Sequence, residues 1–278
     1  MNRCRLCAGP VQLTFEKILL GRHRVKFFRC AVCESLQSEK PFWLNEAYQS
    51  ALVGSDTGAV YRSLSCQAAI ITIARTLRLR GGFLDYGGGA GLLCRLLRDA
   101  GLDAYTCDRY SDPVYARAYA IDAESLLERP FTMISAIEVL EHCGEPSVEL
   151  ERLFSISPHV LFATTVPYRG EGSDWWYIGA ENGQHVFFYS PKALKIIGER
   201  FGYQYLGLGD FHVFFRGNIG LARRTALRMG LSRVGRRIVS TWIAATRRAR
   251  FCNADFEAIR AGSLQELHGI QRSSKRDG

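Results

Sequence analysis

The sequence predicts an α/β fold: a mostly parallel sheet ending in an antiparallel hairpin, with a small cysteine-punctuated ribbon in front and a basic helical tail behind. Three observations predict it. Between residues 81 and 216 the short apolar runs FLDY, DAYTC, TMISAI and HVLFATTV alternate with helical segments around 90–100 and 148–154, as parallel strands covered by helices do. A glycine-rich turn, LDYGGGAGLL (84–93), joins the first strand to the first of these helices. After a helix opened by Ser190 and Pro191, YQYLGLGDFHVFFR has two strand-like runs around Gly-Asp, which reads as a hairpin added at a sheet edge.

The 278 residues leave room for one full-sized domain with appendages, and 47% hydrophobic with 23% charged residues is ordinary globular composition. The opening MNRCRLC has no apolar run, and apolar stretches such as 68–74 fall far short of a bilayer span. A soluble, cytoplasmic protein is therefore expected. The net charge of +9 is concentrated, because residues 211–254 hold ten arginines and no acid.

Residues 1–40 form the ribbon, whose middle, VQLTFEKILL and RHRVKFF, has the β-branched and aromatic content of short strands. Cys4 and Cys7 form one CxxC pair and Cys30 and Cys33 a second, 22 residues on; each supplies two corners of a tetrahedron, the arrangement of a structural zinc site. With four protein ligands the site is closed to substrate. Its loss is expected to unfold the ribbon. Residues 41–80 are a helical lead-in, with Ala68, Ile71, Arg75 and Arg78 marking turns and SDTG (55–58) dividing two helices. Residues 81–216 are the core, with a less clear stretch through VYARAYAI. In the tail, 217–278, Leu227, Leu231, Val234, Ile238 and Trp242 recur at spacings of three and four among arginines, while Gly230 and Gly235 weaken the helix. Such a face suits docking on the domain, an anionic lipid surface at the inner membrane face, or nucleic acid.

The glycine turn decides the cofactor class. A dinucleotide turn needs glycine at its first, third and sixth positions, which neither Gly87 nor Gly89 begins, and no Gly-Lys-Ser or Gly-Lys-Thr follows to make a P-loop. The order is Asp85-x-Gly87-x-Gly89-x-Gly91. That spacing resembles motif I of the class I S-adenosylmethionine-dependent methyltransferases, and three further stretches extend the resemblance. Asp108 follows the second strand, where the family carries an acid that accepts both ribose hydroxyls. IDAE (121–124) resembles the adenine-lining segment, with Asp122 and Ala123. SAIEVLEH (135–142) resembles the fourth-strand motif and includes Glu138. The family's usual Phe-Asp before that strand is Phe131-Thr132 here. The resemblance implies a Rossmann-like class I methyltransferase sheet and S-adenosylmethionine as cofactor.

Methyl transfer requires a positioned acceptor and, for a hydroxyl or carbon acid, a base. Candidates are His142, Glu141 and the stretch SDWWYIGAENGQHVFFYS (173–190), which carries Glu181 and His185. Its aromatics and amides suit a sugar-like ring. Together with FWLNEAY (42–48), these features resemble bacterial zinc-ribbon methyltransferases of sugar and surface-glycan pathways, which implies a small or lipid-linked saccharide acceptor. Two alternatives stand: an RNA methyltransferase using the ribbon and the arginine-rich tail, and an inactive binding module on the same fold.

Overall fold

The computed structural model describes residues 3–48, 57–246 and 249–261; Ser55 and Asp56 of the expected helix break, and the tail from 262 on, lie outside the described residues. Alternation along the strands explains the layers. Phe83 and Leu84 of β4 (Gly82–Tyr86), Met133 and Ile134 of β6 (Phe131–Ile137), and Leu161 and Phe162 of β7 (Val160–Thr164) enter two different hydrophobic clusters. Strands apolar on both faces must be covered twice. One face receives α4 (Pro146–Ser155) and α5 (Pro191–Phe201), the other α2 (Ala59–Leu77), α3 (Leu92–Asp99) and α6 (Leu221–Leu231).

With β5 (Ala104–Cys107), β9 (Gln204–Leu208) and β10 (Phe211–Phe215) the sheet order is β5-β4-β6-β7-β10-β9. The first four are parallel, and β10 runs antiparallel to both β7 and β9, so the hairpin's second strand inserts next to β7. The chain leaves β4 toward β5 and returns to β6 on the other side of β4. Loops after β4 and β6 therefore diverge and open a crevice at the strands' carboxyl ends. The stretch VYARAYAI makes no strand: Val114 and Tyr115 are both exposed, and only a short 3-10 turn, Arg117–Tyr119, and a single parallel bridge from Ala120 to Thr106 form.

The ribbon is not isolated from the core. Its hairpin, β1 (Val11–Leu19) and β2 (His23–Cys30), pairs through β3 (Leu36–Ser38) with β8 (Phe187–Phe188), a strand from the far side of the chain. The lead-in joins the same unit through α1 (Leu44–Ala47): Trp43 Nε1 donates to the Gly183 carbonyl at 2.7 Å, and Gln184 Nε2 to that of Ala47 at 2.9 Å. Phe27, Leu36, Trp43, Tyr177 and Phe188 share one buried cluster. The ribbon, the start of the lead-in (41–48) and the 173–190 segment thus form one body beside the crevice.

The tail corrects the single amphipathic face. Two helices, α6 and α7 (Arg233–Thr246), meet at Ser232, whose backbone is extended; Leu227 and Leu231 are buried, while Val234 and Ile238 are each 65% exposed. Gly230 and Gly235 serve this corner, since a Cβ on Gly235 would lie 2.1 Å from the Met229 carbonyl oxygen. Ile243 of α7 packs with Ala68 and Ile71 of α2. Among the described residues no helix is long and apolar enough to cross a membrane.

The last element, α8 (Cys252–Arg260), is anchored by charge. Asp255, 4% exposed, accepts from Arg98 Nε and Nη2 at 2.8 Å each and lies 2.9 Å from Arg95 Nη1. Burial alone raises the Asp255 carboxyl; the Arg98 hydrogen bonds and charge outweigh it and hold its pKa below the ordinary value. Asp255→Ala leaves the Arg98 guanidinium buried without its main partner, and is expected to cost roughly 3 kcal/mol. At a few degrees per kcal/mol, thermal melting should fall by about 5–10 °C. An unchanged midpoint would show that α8 does not brace the fold.

Candidate active site

The glycine turn follows from backbone geometry. Gly87, Gly89 and Gly91 have φ of 68°, 56° and 77°, the left-handed region that glycine enters without penalty, so the alternate spacing in the sequence is the alternation of left-handed residues in the turn. Gly88, which the spacing passed over, has no room for a side chain: its Cβ would lie 2.2 Å from Thr106 Oγ1 and 2.7 Å from Asp85 Oδ2. The turn ends on the N terminus of α3, capped by Gly91, where free backbone N–H groups favour an anion.

Asp85 and Asp108 flank this turn. Asp85 is 2% exposed; Ser135 Oγ donates to its Oδ1 at 3.1 Å, and Oδ2 has no partner. Burial pushes its carboxyl up to about 7, opposed by the Ser135 hydrogen bond and reinforced by Asp108. Asp108 Oδ1 accepts from the Tyr110 and Ser111 amides at 2.8 and 2.9 Å, and Oδ2 from the Gly89 amide at 2.8 Å. A carboxylate has about four acceptor sites, so roughly one remains, enough for one ribose hydroxyl and not both. Asp122 is exposed ahead of the short turn Ala123–Leu127, and the Ala123 carbonyl is taken by Arg152 Nη2 at 2.7 Å.

The residues fit the cofactor on two counts. An unpartnered buried carboxylate oxygen, Asp85 Oδ2, suits a cation such as the methionyl ammonium, and the free N–H groups at the α3 N terminus suit its carboxylate.

The loop after β6 builds the other half. Glu138 has φ of +52°, a strained value for a side-chain-bearing residue and one that concentrates at functional sites. Its amide donates to Thr164 Oγ1 at 3.0 Å, Thr164 Oγ1 donates back to Oε1 at 2.8 Å, and Tyr177 Oη lies 2.9 Å from Oε2. Glu138, expected against the cofactor, is thus held by Thr164 and Tyr177. The Tyr177 hydroxyl also donates to Glu141, which is fully buried. Burial, with Glu138 beside it, pushes the Glu141 carboxyl well above its usual range.

His142 and His185 meet edge to face with ring centroids 4.7 Å apart. Tyr48 Oη lies 3.0 Å from His142 Nδ1, and His185 Nδ1 lies 2.6 Å from the Tyr177 carbonyl. Burial pushes His142 down to about 3, with His185 adding to the effect, and burial also lowers His185 against its carbonyl hydrogen bond. Both rings are neutral near pH 7. Glu181 does not join them: it is exposed on the turn after Gly179, and Glu141, held in the loop by its neighbour Tyr177, occupies the place expected of it. The two halves touch, since a Cβ on Gly87 would lie 2.5 Å from Val139 Cγ2 and Tyr48 stacks on Tyr110 at 4.7 Å. Tyr48, Tyr110 and Tyr177 were not singled out from sequence, although Tyr48 and Tyr177 fall within the two aromatic stretches that drew attention.

The family model for a methyltransferase domain matches residues 60–208, more than half of the chain. The chain belongs to this family. It is an S-adenosylmethionine-dependent methyltransferase. No curated protein sequence matches it. Among solved structures it is similar to magnesium protoporphyrin IX methyltransferase from Synechocystis with bound SAH, at 15% identity and TM-score 0.45 over 63% of this chain and 93% of that one. It is also similar to the 1,6-didemethyltoxoflavin-N1-methyltransferase of Burkholderia thailandensis, at 12% identity and TM-score 0.46 over 72% and 96%. At these identities the likeness concerns the fold, and the acceptor has to be argued from the site.

Cys4, Cys7, Cys30 and Cys33 converge, with sulfurs within 4.8 Å of one another and Cys4–Cys33 and Cys7–Cys30 at 3.6 and 3.5 Å. Four such donors fit a tetrahedral ion.

Proposed function

We propose that this methyltransferase acts on a hydroxyl of a saccharide-type acceptor, small or lipid-linked, seated at His142 and His185. The observation that carries the reading is the pair of neutral imidazoles packed edge to face, each engaged through Nδ1. A sugar ring presents C–H faces to aromatic rings and hydroxyls to polar groups, and the stacked pair Tyr48 and Tyr110 supplies the rings.

The cofactor, when bound, supplies a methyl group already activated by the sulfonium charge. Asp85 would hold its ammonium, the α3 N terminus its carboxylate, and Asp108 one ribose hydroxyl. As the acceptor oxygen bonds to the methyl carbon, the S–CH3 bond breaks with its electron pair left on sulfur, and the hydroxyl proton is drawn off at the His142–His185 cluster. The cysteine cluster would hold zinc, with a structural role because no ligand position is left open.

A methyl-labelled cofactor assay on fractionated cell extract tests the acceptor class. Label should enter saccharide fractions and survive nuclease; nuclease-sensitive label would replace this reading with the RNA one. The cofactor half makes its own prediction. The carboxylate form of Asp85 binds an ammonium, so cofactor affinity should fall as pH drops from 8 to 6 through its raised pKa, and the Asp85→Asn variant should bind weakly at both pH values. For the cofactor-free fold the sign is opposite: a carboxyl raised above its unfolded value contributes stability fully present below about pH 4 and lost as pH rises through about 7. Calorimetry showing pH-independent affinity in the wild type would remove Asp85 from the ammonium site.

A further inference from the structure

Two carboxylates and two imidazoles meet where the chain supplies no positive charge. The Tyr177 hydroxyl lies against both Glu138 Oε2 and Glu141 Oε1, yet it has one proton and satisfies only one of them. Among the described residues neither carboxylate has a lysine or arginine within ion-pair distance. Glu141 is fully buried, and its other oxygen, Oε2, has no hydrogen-bond partner. Leaving a buried carboxylate oxygen unmet is costly, and a neighbouring cation would remove the cost.

The groups beside the Glu141 carboxylate are lone-pair donors. One ligand atom each from Glu141, His142 and His185 lie within 4.8 Å of one another. His185 is also in the tautomer that coordination needs: its Nδ1 carries its proton toward the Tyr177 carbonyl, which leaves Nε2 a bare lone pair. His142 Nδ1 is anchored by the Tyr48 hydroxyl, which can accept or donate.

We propose that Glu141, His142 and His185 bind one divalent first-row transition ion whose open positions receive the acceptor's hydroxyls. Two imidazole nitrogens with one carboxylate oxygen select the manganese-to-zinc series over calcium or magnesium, which take oxygen ligands. Three protein ligands leave positions free, unlike the ribbon's four thiols. An acceptor hydroxyl on the ion becomes more acidic, so its proton leaves to water as the O–CH3 bond forms and the S–CH3 bond breaks. The inference rests on the acceptor-site reading above and gives the cluster a different part in proton removal: it holds the ion that acidifies the hydroxyl, and water takes the proton.

The test is a manganese(II) titration of the full chain after dialysis against a mild chelator, followed by the electron paramagnetic resonance signal of the free ion; thiolates are poor manganese ligands, so the ribbon stays silent. About one ion per chain should bind, with nitrogen couplings from imidazole in the pulsed spectrum, and binding should weaken at least tenfold in Glu141→Gln and His185→Gln. Cofactor affinity should be unchanged in both. No uptake by the wild type, or uptake without nitrogen coupling, overturns the proposal whether or not the variants fold. Methyl transfer to saccharide by a protein that binds no ion rejects the ion and keeps the acceptor reading. A nitrogen-coupled ion with label appearing only in other acceptors supports the ion site and rejects the saccharide.

Discussion

His185→Ala is expected to lower methyl transfer by roughly 10²- to 10⁴-fold while leaving cofactor affinity within a few-fold of wild type, the range set by loss of a group that takes part in proton removal. The separation of effects follows from the layout. His185 belongs to the body formed by the ribbon, the start of the lead-in and the 173–190 segment, whereas the glycine turn, Asp85 and Asp108 belong to the sheet and its first crossover. Its ring contacts are His142 at 4.7 Å, Tyr177 at 4.6 Å and Phe188 at 6.3 Å, so truncation also leaves a gap. His185→Gln controls for that gap, because it keeps most of the side-chain volume and removes the imidazole. Calorimetry with the cofactor and the methyl-label assay read the two quantities separately. Near-normal transfer in His185→Ala would remove this side chain from the chemistry.

How far the site could be read from sequence depends on how local each part is. Gly87, Gly89 and Gly91 were legible because a left-handed backbone leaves its mark at the residue that adopts it. Gly88 was not, because its constraint comes from Thr106 and Asp85, which only the β4–β5 pairing brings against it. The parallel strands were legible as short apolar runs between helical segments, and VYARAYAI, where the run is broken by Arg117 and small residues, was unclear and forms no strand. The motif marked Glu138 as a site candidate, but the partners that hold its side chain, Thr164 and Tyr177, are 26 and 39 residues away and carry no local signal. The tail misled for a related reason. Spacings of three and four defined one face on a continuous helix, and the corner at Ser232, where two glycines let the helices approach, divides that face between core and solvent.

Cys30→Ser should disable transfer almost as strongly, although Cys30 touches no reacting group. Zinc bound by four thiols contributes about 10–16 kcal/mol of apparent binding energy to a small metal-held unit, and three remaining thiols forfeit much of it. From sequence the consequence would stop at the ribbon. The structure carries it further, because β3 pairs with β8 immediately after His185, and Arg5, between the first two cysteines, donates to the Val186 carbonyl at 2.6 Å. Val186 in turn donates its amide to the Glu141 carbonyl at 2.8 Å. Cys4, Cys30 and Cys33 also share a buried cluster with Phe187, Tyr189 and Leu194. Loss of a zinc ion held by these thiols would therefore loosen the segment that presents His185, and with it the His142–His185–Glu141 cluster, while the glycine turn keeps the left-handed backbone that its own residues set. The expected result is a zinc content reduced by about one ion per chain, an added low-temperature melting step, cofactor affinity within a few-fold of wild type, and transfer lowered at least tenfold. Normal transfer from a metal-free chain would show that β8 and His185 hold their place without the ribbon.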